Sequence, residues 1–138
     1  MDYKNAIKLA GGKILAYKTF GSCQGRWIAI INIKGTTKYI TDYFGSHSDC
    51  DTLKFNFKDS WHDNCINEHY YNPIHDGFNE NCKTCQRIKK KFILFGQEYI
   101  DNAISFEECL KIISKDLAWD LEVQTMINWL KQQLNKKD

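Results

Sequence analysis

Two residues, Lys34-Gly35, are all that separate the run Arg26–Ile33 from the run Thr36–Tyr43. Both runs are rich in the β-branched and aromatic side chains that suit a pleated surface. Parallel neighbours need a crossover of about a dozen residues or more, so this connection restricts the pair to an antiparallel hairpin. The same argument covers Gly21-Ser22-Cys23-Gln24-Gly25, which joins an earlier run, Lys13–Phe20, to the second. The three runs predict an antiparallel three-stranded meander. In the middle run Trp27, Ala29, Ile31 and Ile33 alternate with Ile28 and Ile30, so both faces are apolar. Such a strand belongs at the centre of a sheet covered on both sides.

The flanking segments read as helices. Residues 3–10 predict a short helix ending at Gly11-Gly12, where glycine tolerates a left-handed cap. From Gln86 onward Ile88, Phe92, Phe95 and Tyr99 recur at helical spacing. Ser105-Phe106-Glu107-Glu108 has the form of a capping box, and Phe106, Cys109, Leu110, Ile113 and Leu117 form an apolar stripe behind it. Asp116 is expected to cap a last helix whose buried face includes Trp119, Leu121, Met126, Ile127, Leu130 and Leu134. Glu107, Glu108, Asp116, Asp120 and Glu122 read as a solvated face. The expected architecture is one α+β domain over 1–138: a meander at 13–43, an irregular Cys/His lobe at 45–85, and a helical half at 86–135 that packs on the sheet.

The lobe carries the chemistry. It holds all four histidines, the aromatics Trp61, Tyr70 and Tyr71, and the only proline, Pro73, while Asp51–Phe57 reads equally as a helical turn or a short strand. His62-Asp63-Asn64-Cys65 and Cys82-Lys83-Thr84-Cys85 give the spacing H-x2-C-x16-C-x2-C. Ligands two residues apart can curl around one ion in a tight turn whose amides bond the thiolates, and two such turns make a tetrahedron suited to Zn2+. The expected ligands are His62, Cys65, Cys82 and Cys85, with His69 or His75 as alternatives to His62. His47-x2-Cys50 also has knuckle spacing. Four protein ligands close the site, so the zinc is read as structural. Ordering an irregular segment costs roughly 1–2 kcal/mol per residue, and a structural zinc supplies on the order of 10 kcal/mol. Of the remaining cysteines, Cys109 falls on an apolar helix stripe and Cys23 in an exposed turn.

Charge is unevenly distributed around a net +2. Residues 1–41 hold seven basic side chains against one acidic, and residues 92–130 hold two against seven. No P-loop, dinucleotide-binding glycine fingerprint, nucleophile elbow or H-E-x-x-H helix occurs. Cys50 beside His47, Asp49 and Asp51 has the composition of a thiol site without a base placed across a cleft. The expectation is a non-enzymatic binder. Arg87, Lys89, Lys90 and Lys91 after the second knuckle leave a nucleic-acid-binding accessory protein as the alternative. No apolar run is long enough to span a bilayer, and Met1–Ala10 lacks a signal-peptide core, so a cytoplasmic location without membrane contact is expected.

Three stretches carry a resemblance: Tyr43-Phe44-Gly45-Ser46-His47-Ser48-Asp49-Cys50-Asp51, Phe95-Gly96-Gln97-Glu98-Tyr99-Ile100-Asp101 and Asp116-Leu117-Ala118-Trp119-Asp120. Together they resemble small proteins of phages and bacterial mobile elements whose meander ends in a Tyr-Gly-Ser-x-Ser-x-Cys-Asp turn. His47 stands where the first cysteine of that turn would be. Proteins of this kind include metal-stabilised anti-CRISPR proteins. The resemblance implies an inhibitor that binds a type II effector nuclease of the bacterial host by protein–protein contact.

Overall fold

The computed structural model describes residues 2–46, 51–57, 82–116 and 120–136. In chain order these form α1 (Tyr3–Leu9), β1 (Lys13–Gly21), β2 (Gln24–Ile33), β3 (Thr36–Gly45), α2 (Thr52–Phe57), α3 (Lys83–Asp101), α4 (Phe106–Ser114) and α5 (Asp120–Asn135). The strands make one antiparallel sheet in the order β1-β2-β3, so the chain is α+β with β2 central.

The alternation in β2 divides the core in two. Trp27, Ala29 and Ile31 pack with Tyr3 and Ile7 of α1, Leu53 and Phe57 of α2, and Ile88, Phe92 and Phe95 of α3. Ile28 and Ile30, on the other face, pack with Cys109 and Ile113 of α4 and Met126 and Leu130 of α5. Helices therefore cover both faces of the sheet, the arrangement that a strand apolar on both sides requires. The Trp27 ring lies among those of Tyr3, Tyr17 and Tyr99, at centroid distances of 4.7, 5.7 and 5.2 Å. Its buried indole N–H meets no hydrogen-bond acceptor among the described residues.

Local chemistry explains the turns. Lys34 and Gly35 have φ of 51° and 86°, so the β2–β3 turn is left-handed at both central positions, as the twist of a tight hairpin favours. The Asn32 side chain accepts the Gly35 N–H at 2.8 Å. The first hairpin is tighter than its sequence suggests: pairing continues through Phe20↔Arg26 to Gly21↔Gly25, leaving Ser22-Cys23-Gln24 between the last paired residues. The outer edge of β3 is partly closed by Ile104, which exchanges two backbone bonds of 2.8 Å with Tyr39.

Helix α3 begins at Lys83, ahead of the expected Gln86, because Cys82 acts as its N-cap. Its buried face carries Ile88, Phe92 and Phe95. At Gly96 it crosses α1 so closely that a Cβ would lie 2.0 Å from the Ala6 carbonyl oxygen. Ser105 caps α4 by accepting the Glu108 N–H at 3.2 Å, and its hydroxyl turns to the Glu108 carboxylate.

Two expectations are corrected. Asp116 does not lie on a solvated face: it is buried against Arg26 of β2, with Nε and Nη2 each 2.9 Å from Oδ2. Gly25 before Arg26 and the five residues Trp27–Ile31 after it are buried, and the Arg26 side chain itself is 6% exposed, so the guanidinium has little water and the carboxylate replaces it. Leu134 is exposed, so the buried face of α5 ends at Leu130 among the described residues. The expected contributions of Leu117, Trp119 and the Leu121 side chain lie outside the described residues, as does the link from Asp116 to α5. No helix among the described residues is long and apolar enough to cross a membrane.

Candidate functional site

Of the expected zinc ligands, Cys82 and Cys85 lie within the described residues; His62, Cys65, His69, His75, His47 and Cys50 lie outside them. The Cys82 Sγ accepts the Cys85 N–H at 3.5 Å across the first turn of α3. Cys85 is buried, 1% exposed, and Cys82 is half-buried. An amide donated to the first sulfur of a C-x2-C pair is the local geometry that a zinc knuckle uses. Cys82 and Cys85 thus lie together at the head of α3. Among the described residues no group of three or more His, Cys, Asp or Glu side chains converges, so the other two ligands of the expected tetrahedron are not supplied by them.

The other described cysteines have different environments. Cys109 is fully buried, and that burial pushes its thiol up to about 12 despite the opposing charge of Arg26. It is a core residue without nucleophilic character at neutral pH. Cys23 is exposed in the β1–β2 turn.

Asp51 is held as a structural tie. Its Oδ1 accepts the Tyr3 hydroxyl at 2.6 Å and the Lys54 N–H at 3.1 Å, and its Oδ2 accepts the Gly45 N–H at 3.0 Å. The Tyr3 oxygen in turn accepts the Leu53 N–H at 3.0 Å. Asp51 thus caps α2 and fastens it to α1 and the end of β3. Burial, reinforced by the bond to Asp51, holds the Tyr3 hydroxyl far above the ordinary tyrosine range. The carboxylate that the sequence places beside Cys50 is committed to these bonds.

A second polar group was not singled out from sequence as a site. Asp42, in the second half of β3, accepts the hydroxyls of Tyr99 and Thr52 on one oxygen, the latter at 3.0 Å, and the Tyr43 N–H at 2.7 Å on the other. Burial, then the bond to Asp42, raises the Tyr99 hydroxyl well above its usual range. These residues border a cleft of about 330 Å3 that continues along Asn56, Phe95, Glu98 and Asn102. Glu98 and Tyr99 belong to the Phe95–Asp101 stretch already noted in the sequence. Asp42 carries no sequence signal, being a lone acid within a strand.

The basic run after the second knuckle is partly used within the fold. Lys91 donates to the Asn56 carbonyl and lies 4.8 Å from the centre of the Phe57 ring. Arg87 reaches Thr84 at 3.3 Å. Compared with protein-family models, with curated proteins and with solved structures, the chain finds no match in any of the three.

Proposed function

We propose that the chain is a non-enzymatic, zinc-stabilised binding protein that inhibits a bacterial defence nuclease by protein–protein contact in the host cytoplasm. The partner suggested by the sequence resemblance is a type II CRISPR effector. The observation that carries the metal half of this reading is the Cys82–Cys85 turn, with its amide-to-sulfur bond at the head of α3. His62 and Cys65 complete the proposed ligand set by their spacing. The inhibitory half rests on the resemblance and on charge asymmetry, which favours encounter with a basic surface through the acidic segment 92–130. The alternative, a zinc-containing nucleic-acid-binding accessory protein, draws less support, because Lys91 and Arg87 are engaged within the chain.

Two measurements test the reading. Elemental analysis of protein purified without added metal is expected to find one zinc per chain, lost together with folding of the lobe in Cys82→Ser; metal-free, fully folded protein overturns the zinc assignment. A guide-loaded type II effector nuclease, mixed with the chain at equal concentration, is expected to lose DNA cleavage while forming a stable complex. Undiminished cleavage without a complex overturns the inhibitory assignment. Salt-sensitive retention of DNA or RNA by the chain alone, abolished by neutralising Lys89 and Lys90, would support the alternative instead.

A further inference from the structure

The cleft beside Asp42 has a chemistry that the proposed function does not use. Its volume, about 330 Å3, lies at the lower end of small-ligand sites. Phe95 and Tyr99 supply aromatic surface, and Asp42 and Glu98 supply two carboxylates. No basic side chain borders it among the described residues. The hydroxyl hydrogens around it are turned away from an incoming ligand. The hydroxyls of Thr52 and Tyr99 each spend their single hydrogen on Asp42. The amide nitrogens of Asn56 and Asn102 each commit one of their two hydrogens to a carbonyl, of Thr52 and of Glu98, both at 2.8 Å. Beside the second hydrogen of each amide, what remains around the space is acceptor: two carboxylates, two hydroxyl oxygens and two amide oxygens. The Asp42 charge is stabilised by three neutral donors and by no cation.

A cleft of acceptors with negative charge and aromatic walls matches a ligand that is all donor and positive. We propose that this cleft binds an organic cation, an ammonium or guanidinium group carried on a short apolar stem. Ammonium has three donors and guanidinium five, without an acceptor on either. The charged head meets Asp42 and Glu98, and the stem lies on Phe95 and Tyr99, where the ring faces also attract the cation. The assignment is independent of the nuclease-inhibitor reading and does not involve the zinc ligands.

The test is titration of the full-length, zinc-loaded chain, followed by amide chemical shifts at residues 42, 52 and 99. Butylammonium and agmatine serve as free cations, blocked lysine and arginine amides as peptide cations, and 1-butanol as the neutral control. A cation is expected to give saturable shifts that weaken with added salt, while 1-butanol gives none. Glu98→Gln is expected to weaken binding about tenfold, as loss of a charge-assisted contact does. Glu98 is exposed and its carboxylate makes no internal bond, so this variant stays interpretable if Asp42→Asn fails to fold. Saturation by the blocked amino acids alone identifies a partner's side chain as the occupant; saturation by the free amines identifies a diffusible amine. Absence of saturation with every cation, equal shifts with 1-butanol, or unchanged affinity in Glu98→Gln overturns the proposal.

Discussion

Removing the Asp116 carboxylate should be among the most damaging single changes to the described structure, and removing its partner as well should undo most of the damage. The Arg26 and Asp116 side chains are only 6% and 2% exposed. Arg26 holds Asp116 through two N–H donors, reaches Thr41 Oγ1 at 3.0 Å, and lies 4.3 Å from the centre of the Tyr43 ring. Tyr43 adds its hydroxyl to the same carboxylate at 3.1 Å. Asp116→Leu leaves a buried guanidinium without its counter-charge, a situation that costs about 3–5 kcal/mol. For a domain of this length that corresponds to a fall in Tm of roughly 10–20 °C. Arg26→Met should cost about the same for the mirror-image reason. The double variant replaces the pair with apolar volume and should return to within about 1–2 kcal/mol of the parent. Among the described partners, the Thr41 hydroxyl keeps its bond to the Trp27 carbonyl at 2.8 Å, and Tyr43 is 39% exposed and can reach water. Urea unfolding followed by circular dichroism, at low salt and at about 0.5 M, measures the cycle. A buried pair should give a coupling energy that changes little with salt. Single variants costing less than about 1 kcal/mol, or a double variant costing the sum of the two singles, would refute the assignment of a desolvated, mutually dependent pair.

Gly96→Ala should destabilise the α1–α3 contact by about 1–3 kcal/mol, overpacking outweighing the better helix propensity of alanine; a stabilised variant in thermal unfolding would contradict the close crossing at Ala6. Lys34→Asn should raise stability by about 0.5–1 kcal/mol, since asparagine tolerates the left-handed conformation that lysine adopts there, and the same unfolding assay reads it. Tyr3, Tyr17, Tyr39 and Tyr99 are all held above the ordinary range, chiefly by burial. The folded state therefore keeps protons that the unfolded chain releases near pH 10, so stability is intact below about pH 10 and falls as pH rises further. Ultraviolet titration should show these four ionising only with cooperative unfolding; ionisation of all seven tyrosines near pH 10 with the fold intact would contradict it. Cys23 should react at once with a thiol reagent and Cys109 only on unfolding, a difference that mass spectrometry of the labelled peptides resolves.

How much of this was legible in the chain depends on the range of the interaction. The meander, the central place of β2 and the apolar stripes of α3 and α4 follow from alternation, helical periodicity and turn chemistry, all properties of neighbouring residues. Ser105 and the Lys34-Gly35 turn are legible for the same reason. Half of the candidate zinc site is likewise local: Cys82 and Cys85 meet because a helix turn brings positions three apart together.

What the tertiary structure alone decided involves groups distant in sequence. Asp116 looks like any surface acid until a strand 90 residues earlier brings Arg26 beside it. Gly96 looks like a flaw in a helix until α1 lies against it. Asp42, Thr52 and Tyr99 acquire a shared cleft only when β3, α2 and α3 pack together, 57 residues separating the first from the last. Periodicity reports which face of an element is apolar; it does not report which polar group will face which. Desolvation and hydrogen-bond pairing are settled between elements, and there the fold adds what the order of residues leaves open.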